Sequence, residues 1–502
     1  MRATAVALAE RELAVKPKVR SLSVAAHWLT EGDCRLDATF YGDEAIAARR
    51  VVDESGFEYR SIGDRAVTRE IFNLNRFRRI YTADPTKGWP YLSASEVMMF
   101  RPKSDRWIAR DEAPDHADRH FAKEGWLLVT SSGVVGRCIL ATKRIERFFL
   151  THDLLRIVPT LPAGYLYAYL SSSIGQALMA KEQYGMTVTH LEPHHVARLP
   201  VPLLPEQVQR KIHEEINRAY GLRDEANQLL DQADELLHRE LGLAAFDESQ
   251  VPYIGRANSA PSPRKLKAFA VKASELAGRL DVSFHLPTAK ACIAQMGKGK
   301  YPLIPLGDIA SRIFIPPRFK RIYVAREHGI PFLRPSDITM MKPCDLKYLS
   351  RGATDALEQL MLRVGDIMVT TDGTVGRTGV VPKQLEGWSG SNNIARIVYG
   401  VEDNRNGYVA ALLMTSYGFH QLTREIYGAV VDHLEEEHIA AVLLPDAPLG
   451  TQRTIGTQVV QAFEKKEQAN EIENKAIAWL ENTLRHRGPI ARQGNVDAPE
   501  KC

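Results

Sequence analysis

GWLLVTSSGVVGR, from Gly125 to Arg137, and GDIMVTTDGTVGR, from Gly365 to Arg377, agree at seven of thirteen positions. They lie 377 − 137 = 240 residues apart, and a similar offset holds far to either side. Arg35-Leu36-Asp37 returns as Arg279-Leu280-Asp281 at 244, and Arg76-Phe77-Arg78-Arg79-Ile80-Tyr81 as Arg318-Phe319-Lys320-Arg321-Ile322-Tyr323 at 242. His190-Leu191-Glu192 returns as His433-Leu434-Glu435, and Gln209-Arg210 as Gln452-Arg453, both at 243. Constant order and spacing with small insertions are the mark of a tandem duplication.

The 502 residues suffice for two or more domains, each with its own core. The hydrophobic (44%) and charged (25%) fractions are those of an ordinary globular protein. A net charge of +4 permits a polyanionic partner without demanding one, so any such affinity must come from where charge is placed. The five cysteines (Cys34, Cys138, Cys292, Cys344, Cys502) form no CxxC pair, which speaks against structural zinc and a disulfide framework and fits a reducing cytosol. The apolar ATAVALA stretch near the start is cut short by Glu10, Arg11 and Glu12, and nothing approaches the run of about 18 apolar residues that a membrane span needs. The expectation is a cytoplasmic protein with no membrane contact.

Both copies follow one plan. Short β-type runs (Leu127–Thr130, Leu154–Val158, Ile367–Thr370, Ile394–Tyr399) bounded by turn residues indicate a globular α+β domain. A helical stretch follows, GYLYAYLSSSIGQALMA from Gly164 and GYVAALLMTSYGFHQLT from Gly407. After Pro205, Val208, Ile212, Ile216, Ala219, Leu222, Ala226, Leu229, Ala233, Leu237 and Leu241 fall at steps of three or four, the stripe of one long amphipathic helix ending at Gly242. Ile455, Val459, Ala462, Ala469, Ile472, Ala476, Leu480 and Leu484 repeat it, with Gly488-Pro489 as a stop. A helix over about Glu206–Leu241 would be roughly 50 Å long, longer than a compact domain needs. Two such helices are therefore expected to pack on each other as an antiparallel coiled-coil-like spacer; the alternative is that each packs only on its own domain. The expected organisation is an N-terminal extension (1–34), a first α/β domain (35–203), a first spacer helix (204–242), a linker (243–278), a second domain (279–447), a second spacer helix (448–487) and a tail (488–502). Asn258-Ser259-Ala260-Pro261-Ser262-Pro263 is the most linker-like part.

Three pairs of segments could carry chemistry. The loops Thr130-Ser131-Ser132-Gly133 and Thr370-Thr371-Asp372-Gly373 lead through Val-Gly to Arg137 and Arg377. Their glycines allow positive φ, and Ser, Asp or Arg side chains there can bond phosphates or base edges; a well-made β-turn is the competing reading. The segments Arg76–Tyr81 and Arg318–Tyr323 set three cations among two aromatics, a pattern suited to tracking a phosphate backbone, or to a solvated basic strand. The histidines of His190–His195 and His433–His438 invite a metal reading, but hydrogen bonding at a helix entry fits better, since the counterpart of His194 is Glu437. With Arg334, the candidate DNA-contacting set is Arg76, Arg78, Arg79, Tyr81, Ser131, Ser132, Arg137, Arg318, Lys320, Arg321, Tyr323, Arg334, Thr371, Asp372 and Arg377. No catalytic and no metal-binding residue is proposed. The chain shows no Asn/Asp-Pro-Pro-Tyr/Phe, no GxxxxGK[ST] phosphate loop, no nuclease-type carboxylate set and no GxSxG context.

At this point the chain resembles the DNA-specificity subunits of type I restriction–modification enzymes. The residues that carry the resemblance are Val364-Gly365-Asp366-Ile367 leading into Asp372-Gly373-Thr374-Val375-Gly376, and Leu203-Leu204-Pro205-Glu206-Gln207 opening a long helix. It extends from about Arg35 to Leu484. The resemblance implies two target-recognition domains, each reading half of a split, asymmetric double-stranded DNA site. It also implies spacer helices that set the gap and dock two copies of a methyltransferase subunit, and it leaves open whether a restriction/translocase subunit joins. The chain itself would be no enzyme and hold no cofactor, with S-adenosylmethionine, and ATP and Mg where a motor subunit joins, on the partners. The departures are Gly450-Thr451-Gln452 where the first copy has Glu206-Gln207, Trp126 where the second has Asp366, and a first 30 residues with no counterpart. Two other classes remain: a specificity-like scaffold of another defence system with reduced DNA reading, and a self-sufficient restriction or modification enzyme with an unrecognised active site.

Overall fold

The computed structural model describes residue 26 and residues 40–184, 189–251, 253, 268–343, 345–428 and 430–486. Arg35-Leu36-Asp37, most of the expected N-terminal extension and linker, Gly488-Pro489 and the tail lie outside the described residues, as do Cys34, Cys344 and Cys502.

The two halves have the same α+β architecture. The central strands LLVT (Leu127–Thr130) and IMVT (Ile367–Thr370) are buried throughout, as hydrophobic runs covered on both faces should be. Each lies inside a four-stranded antiparallel sheet. In the first half the order is Thr68–Phe72, Leu154–Pro159, Leu127–Thr130, Cys138–Leu140; in the second it is Arg312–Phe314, Ile394–Val398, Ile367–Thr370, Thr378–Val380. The registers match as well, Leu128 facing Arg156 and Met368 facing Arg396. A smaller sheet packs alongside, built on Gly88–Leu92 and Trp107–Ala109, or on Gly329–Leu333 and Lys347–Ser350. A two-stranded clasp closes each domain, Tyr59–Ser61 with Pro200–Pro202 and Leu303–Pro305 with Leu443–Pro445.

The stretch expected as one helix after Gly164 is two, Ala163–Ser171 and Ser173–Glu182. Ser172 breaks it by capping the second: its side chain accepts from the Gly175 amide. The second copy divides likewise into Asn406–Leu413 and Ser416–Arg424.

The spacer helices span Glu206–Leu241 and Leu449–Arg485, and Gly242 ends the first in the left-handed conformation (φ 67°). They run antiparallel. Val208–Tyr220 share a core with Ala476, Leu480 and Leu484, whereas Ala226–Leu241 share one with Ile455, Val459 and Ala462. Each core also contains one globular domain, so each domain rests on the start of its own helix and the end of the other. Neither copy could bury its stripe alone. At about 1.5–3 kcal/mol per buried large aliphatic side chain, this shared burial favours the pair over separate halves.

The stripe is corrected at its centre. Leu222, Leu229 and Ile472, expected in the seam, are only half-buried, and Arg223, Asn227, Lys466, Glu467, Asn470 and Glu473 are buried instead. Arg223 donates to Asn470 (2.8 Å) and to Glu473 (2.6 Å), and Lys342 reaches Glu473 from the second domain (2.7 Å). The crossing point of the helices is thus an ionic network, which apolar periodicity cannot reveal.

Candidate nucleic-acid interface

Each basic segment is pinned by its aromatic residue. Phe77 packs edge-on against Phe149 (5.6 Å between centroids) and His120, and Phe319 packs likewise against Phe332 (6.2 Å). With the ring buried on one side, neighbouring side chains turn outward: Arg76, Arg78, Arg318 and Lys320 are exposed. So are Tyr81 and Tyr323. The third cation is exposed as well but is tethered. Arg79 donates to Asp153 (3.2 Å) and lies 5.6 Å from the centre of the Tyr91 ring, while Arg321 lies 3.5 Å from the Asn392 amide oxygen and 5.7 Å from the Phe332 ring. His120, stacked on Phe149 at 4.2 Å, is pushed down to about 4 by burial and is therefore neutral at neutral pH.

The glycine loops have one backbone in both copies. The Thr130 and Thr370 side chains each accept from the amide of the following arginine, Arg137 or Arg377, at 2.9 Å. Gly133, Gly136, Gly373 and Gly376 all have positive φ, between 72° and 86°. Ser131 and Thr371 are buried, their amides bonded to the carbonyls of Asp153 and Asn393. What differs is the next side chain. Ser132 donates to Asp153 (2.9 Å), whereas Asp372 pairs with the His433 ring. Around each loop the chain also bridges back to a histidine, Ser132 to His190 and Asp372 to His433.

Asp153 therefore joins the two segments that the sequence singled out in the first domain, since Arg79 and Ser132 both bond it. Asn392 and Asn393 stand at the corresponding corner of the second domain, one near Arg321 and the other bonded to Thr371. Sequence reasoning missed this corner, because Asp153 and Asn393 differ and neither lies in a repeated motif.

Two candidates lie elsewhere. Arg137 turns into the junction between the domains and donates to Asp345 (2.6 Å), whereas its counterpart Arg377 is exposed. Arg334 is bonded at its amide and guanidinium to Asp337 (2.9–3.1 Å), capping a short turn rather than joining either loop. His195 and His438 accept from the Glu192 and Glu435 amides (both 3.2 Å) at helix entries. Among the described residues no group of three or more His, Cys, Asp or Glu could hold a metal, and no helix is long and apolar enough to cross a membrane.

A second missed feature links the two domains. The Phe100 amide donates to the Thr339 carbonyl (2.8 Å) and the Met341 amide to the Met98 carbonyl (2.9 Å), with Met99 opposite Met340. Ser95-Glu96-Val97 and Met99 recur as Ser336-Asp337-Ile338 and Met340 at an offset of 241, so Met99 faces its own counterpart. An element paired with its own repeat, above an antiparallel pair of repeated helices, defines a local two-fold axis. The signal was in the sequence, but two adjacent methionines suggest ordinary core.

No family model matches the chain, and no curated relative does. Solved structures similar to it include the S subunit of a type I restriction–modification system from M. genitalium, at 12% identity over 86% of this chain and 96% of that one, with a TM-score of 0.35. The HsdS subunit from Thermoanaerobacter tengcongensis is similar at 14% identity over 86% and 95%, with a TM-score of 0.26. A structure concerned with complex assembly and conformational transition of the type I R-M system is similar at 15% identity over 86% and 98%, again with a TM-score of 0.26.

Proposed function

We propose that the chain is a non-catalytic DNA-recognition subunit that reads a bipartite, asymmetric site in duplex DNA and positions adenine methyltransferase subunits on it. The observation that carries this reading is the two-fold relation: two domains of one topology, each presenting an outward basic segment beside a glycine loop, on one antiparallel spacer. Duplex DNA has an approximate two-fold of its own, so such a pair can address two half-sites from one face, about one helical turn (10–10.5 bp) apart or a multiple of it. Arg76, Arg78, Arg318 and Lys320 neutralise phosphates and fix position. Base selection falls to the loop positions at which the copies differ, Ser132 and Asp372 foremost, because unlike half-sites need unlike readers. The exposed flanks of the spacer helices dock the methyltransferases, the partner class that the motif resemblance supplies, together with a restriction/translocase subunit where the system has one. The protein acts in the cytoplasm, in defence against foreign DNA.

Selection of duplexes from a random pool by the purified chain tests the DNA half of the proposal. A split motif with a fixed gap, bound with a steep salt dependence, is expected. Six to ten phosphate contacts cost about 10³–10⁵ in affinity between 50 and 200 mM salt. Absence of an enriched motif together with a flat salt response would point to a scaffold instead.

A further inference from the structure

The two flanks of the helix crossing correspond by the repeat yet differ in chemistry. On one, a cleft of about 170 Å³ opens where the domains meet, with Arg137, Gln176, Tyr220, Met341 and Lys342 in its walls and Arg223 and Glu473 on the helices behind. On the other flank the counterparts of Tyr220, Gln176, Met341 and Glu473 are Phe463, Phe419, Phe100 and Leu230. Phe100 and Phe463 are buried there, ring to ring at 5.7 Å. The same fold therefore closes this position with two aromatic rings, Lys466, the counterpart of Arg223, lying 5.2 Å from the centre of the Phe100 ring, and the cleft is no requirement of the architecture.

Its charges do not cancel. Arg137, Arg223 and Lys342 face Asp345 and Glu473, which leaves 3 − 2 = +1. Lys466 and Glu467, behind the network, offset each other at 3.6 Å. Arg223 is 2% exposed, and its Nε and Nη1 have no hydrogen-bond partner among the described residues. Glu473 at 2.6 Å balances the Arg223 charge, which leaves those two donors to be satisfied, while the same carboxylate is shared with Lys342. At roughly 30 Å³ per molecule, five or so waters, or one small anion in place of several of them, would fit.

We propose that this cleft binds a small oxyanion, a phosphate or carboxylate group, between Arg137 of the first domain and Lys342 of the second, with Arg223 supplying positive potential from behind. Both outer cations already have a carboxylate partner, but arginine carries five donors, so Arg137 can serve a ligand as well, with Lys342 contributing its charge. Such a ligand would tie the two domains together at their junction, a role separate from reading bases.

The test is calorimetric titration of the full chain, without DNA and at constant ionic strength in chloride, with inorganic phosphate and with acetate as probes. Wild type is compared with Met341→Phe, which fills the cleft as Phe100 fills its counterpart, and with Lys342→Met; melting curves confirm that each variant is folded. One site per chain is expected in the wild type, weakened about tenfold or more in Met341→Phe. Uptake no stronger than that of chloride, or an unchanged affinity in folded Met341→Phe, would mean that the cleft holds only water. Displacement of bound phosphate by duplex would assign the oxyanion to the DNA backbone, and simultaneous binding would assign it to a free metabolite.

Discussion

In the first domain the loop after the central strand carries Ser132, tied to Asp153; in the second it carries Asp372, tied to His433. Around these side chains the copies agree in sheet order, in strand register, in the threonine that braces the loop and in the aromatic that anchors the basic segment. The spacer shows the reverse. Its outer thirds are apolar in both copies, but at the crossing one flank sets Glu473 between two cations and opens a cleft, while the other packs Phe100 on Phe463 beside Lys466. Duplication preserved what folds each domain, and divergence gathered at the loop tips and at the junction. Those are the two places where one domain must do something that the other does not.

The largest effect is expected at the crossing. Glu473→Gln or Arg223→Met strands a buried charge and should cost about 3–5 kcal/mol, read as a lowered denaturation midpoint. The Arg223 and Lys342 charges hold the Glu473 carboxyl down at about 2 against 4.5 when unfolded, with burial acting against them. Its stabilisation is therefore complete above about pH 4.5 and drains away as the pH falls toward 2. Wild type should lose more stability through that window than Glu473→Gln, which keeps only the acid loss of the other paired carboxylates such as Asp281. Substitution of Leu230, the counterpart on the other flank, leaves Glu473 in place, so that variant should keep the wild-type acid profile and its cost should not change with pH.

Next come the basic segments, where the copies should behave alike. Arg76→Ala with Arg78→Ala, or Arg318→Ala with Lys320→Ala, should weaken binding to matched and mismatched duplexes equally. Each pair should lower the salt slope by about 2, at roughly 0.9 per phosphate. An effect confined to one pair would break the equivalence of the domains.

The loop tips should then separate them. Asp372→Ser should relax discrimination in one half-site only, by about 1–3 kcal/mol per affected base pair, and Ser132→Asp should alter only the other. Competition binding with singly substituted sites measures this, and a change in both half-sites would contradict independent reading.

A pH dependence of opposite sign, confined to the interval between about pH 4 and 6, separates Asp366 from Trp126, its counterpart. Burial raises the Asp366 carboxyl to about 6, with the Arg396 charge opposing, so the folded protein holds this proton more tightly than the unfolded chain does. Stability should fall as the pH rises from about 4 to 6, with a slope on the order of 1 kcal/mol per pH unit at its steepest. Asp366→Asn should flatten that part of the profile.

Much of the fold was legible because duplication states each element twice. The buried strands, the split after Gly164 apart, and the helix Glu206–Leu241 follow from apolar spacing that both copies share. The crossing was not legible, since a rule that places polar side chains outside passes over Arg223 and Asn227, whose partners lie on the other helix or in a domain. The basic segments and glycine loops could be named from sequence. Their meeting at Asp153, 74 residues from Arg79, could not, nor could the withdrawal of Arg137 toward Asp345, 208 residues away. Arg334 shows the limit of reading charge alone: an arginine three residues before an aspartate caps a turn as readily as it meets a phosphate.

The most direct test of two domains reading two half-sites is genome-wide mapping of methylated adenine in cells that carry the proposed methyltransferase partner, with this chain, without it, and with Asp372→Ser. The account predicts a split motif that appears only with the chain and changes in one half alone in the variant. An active methyltransferase whose pattern is the same in all three would contradict it.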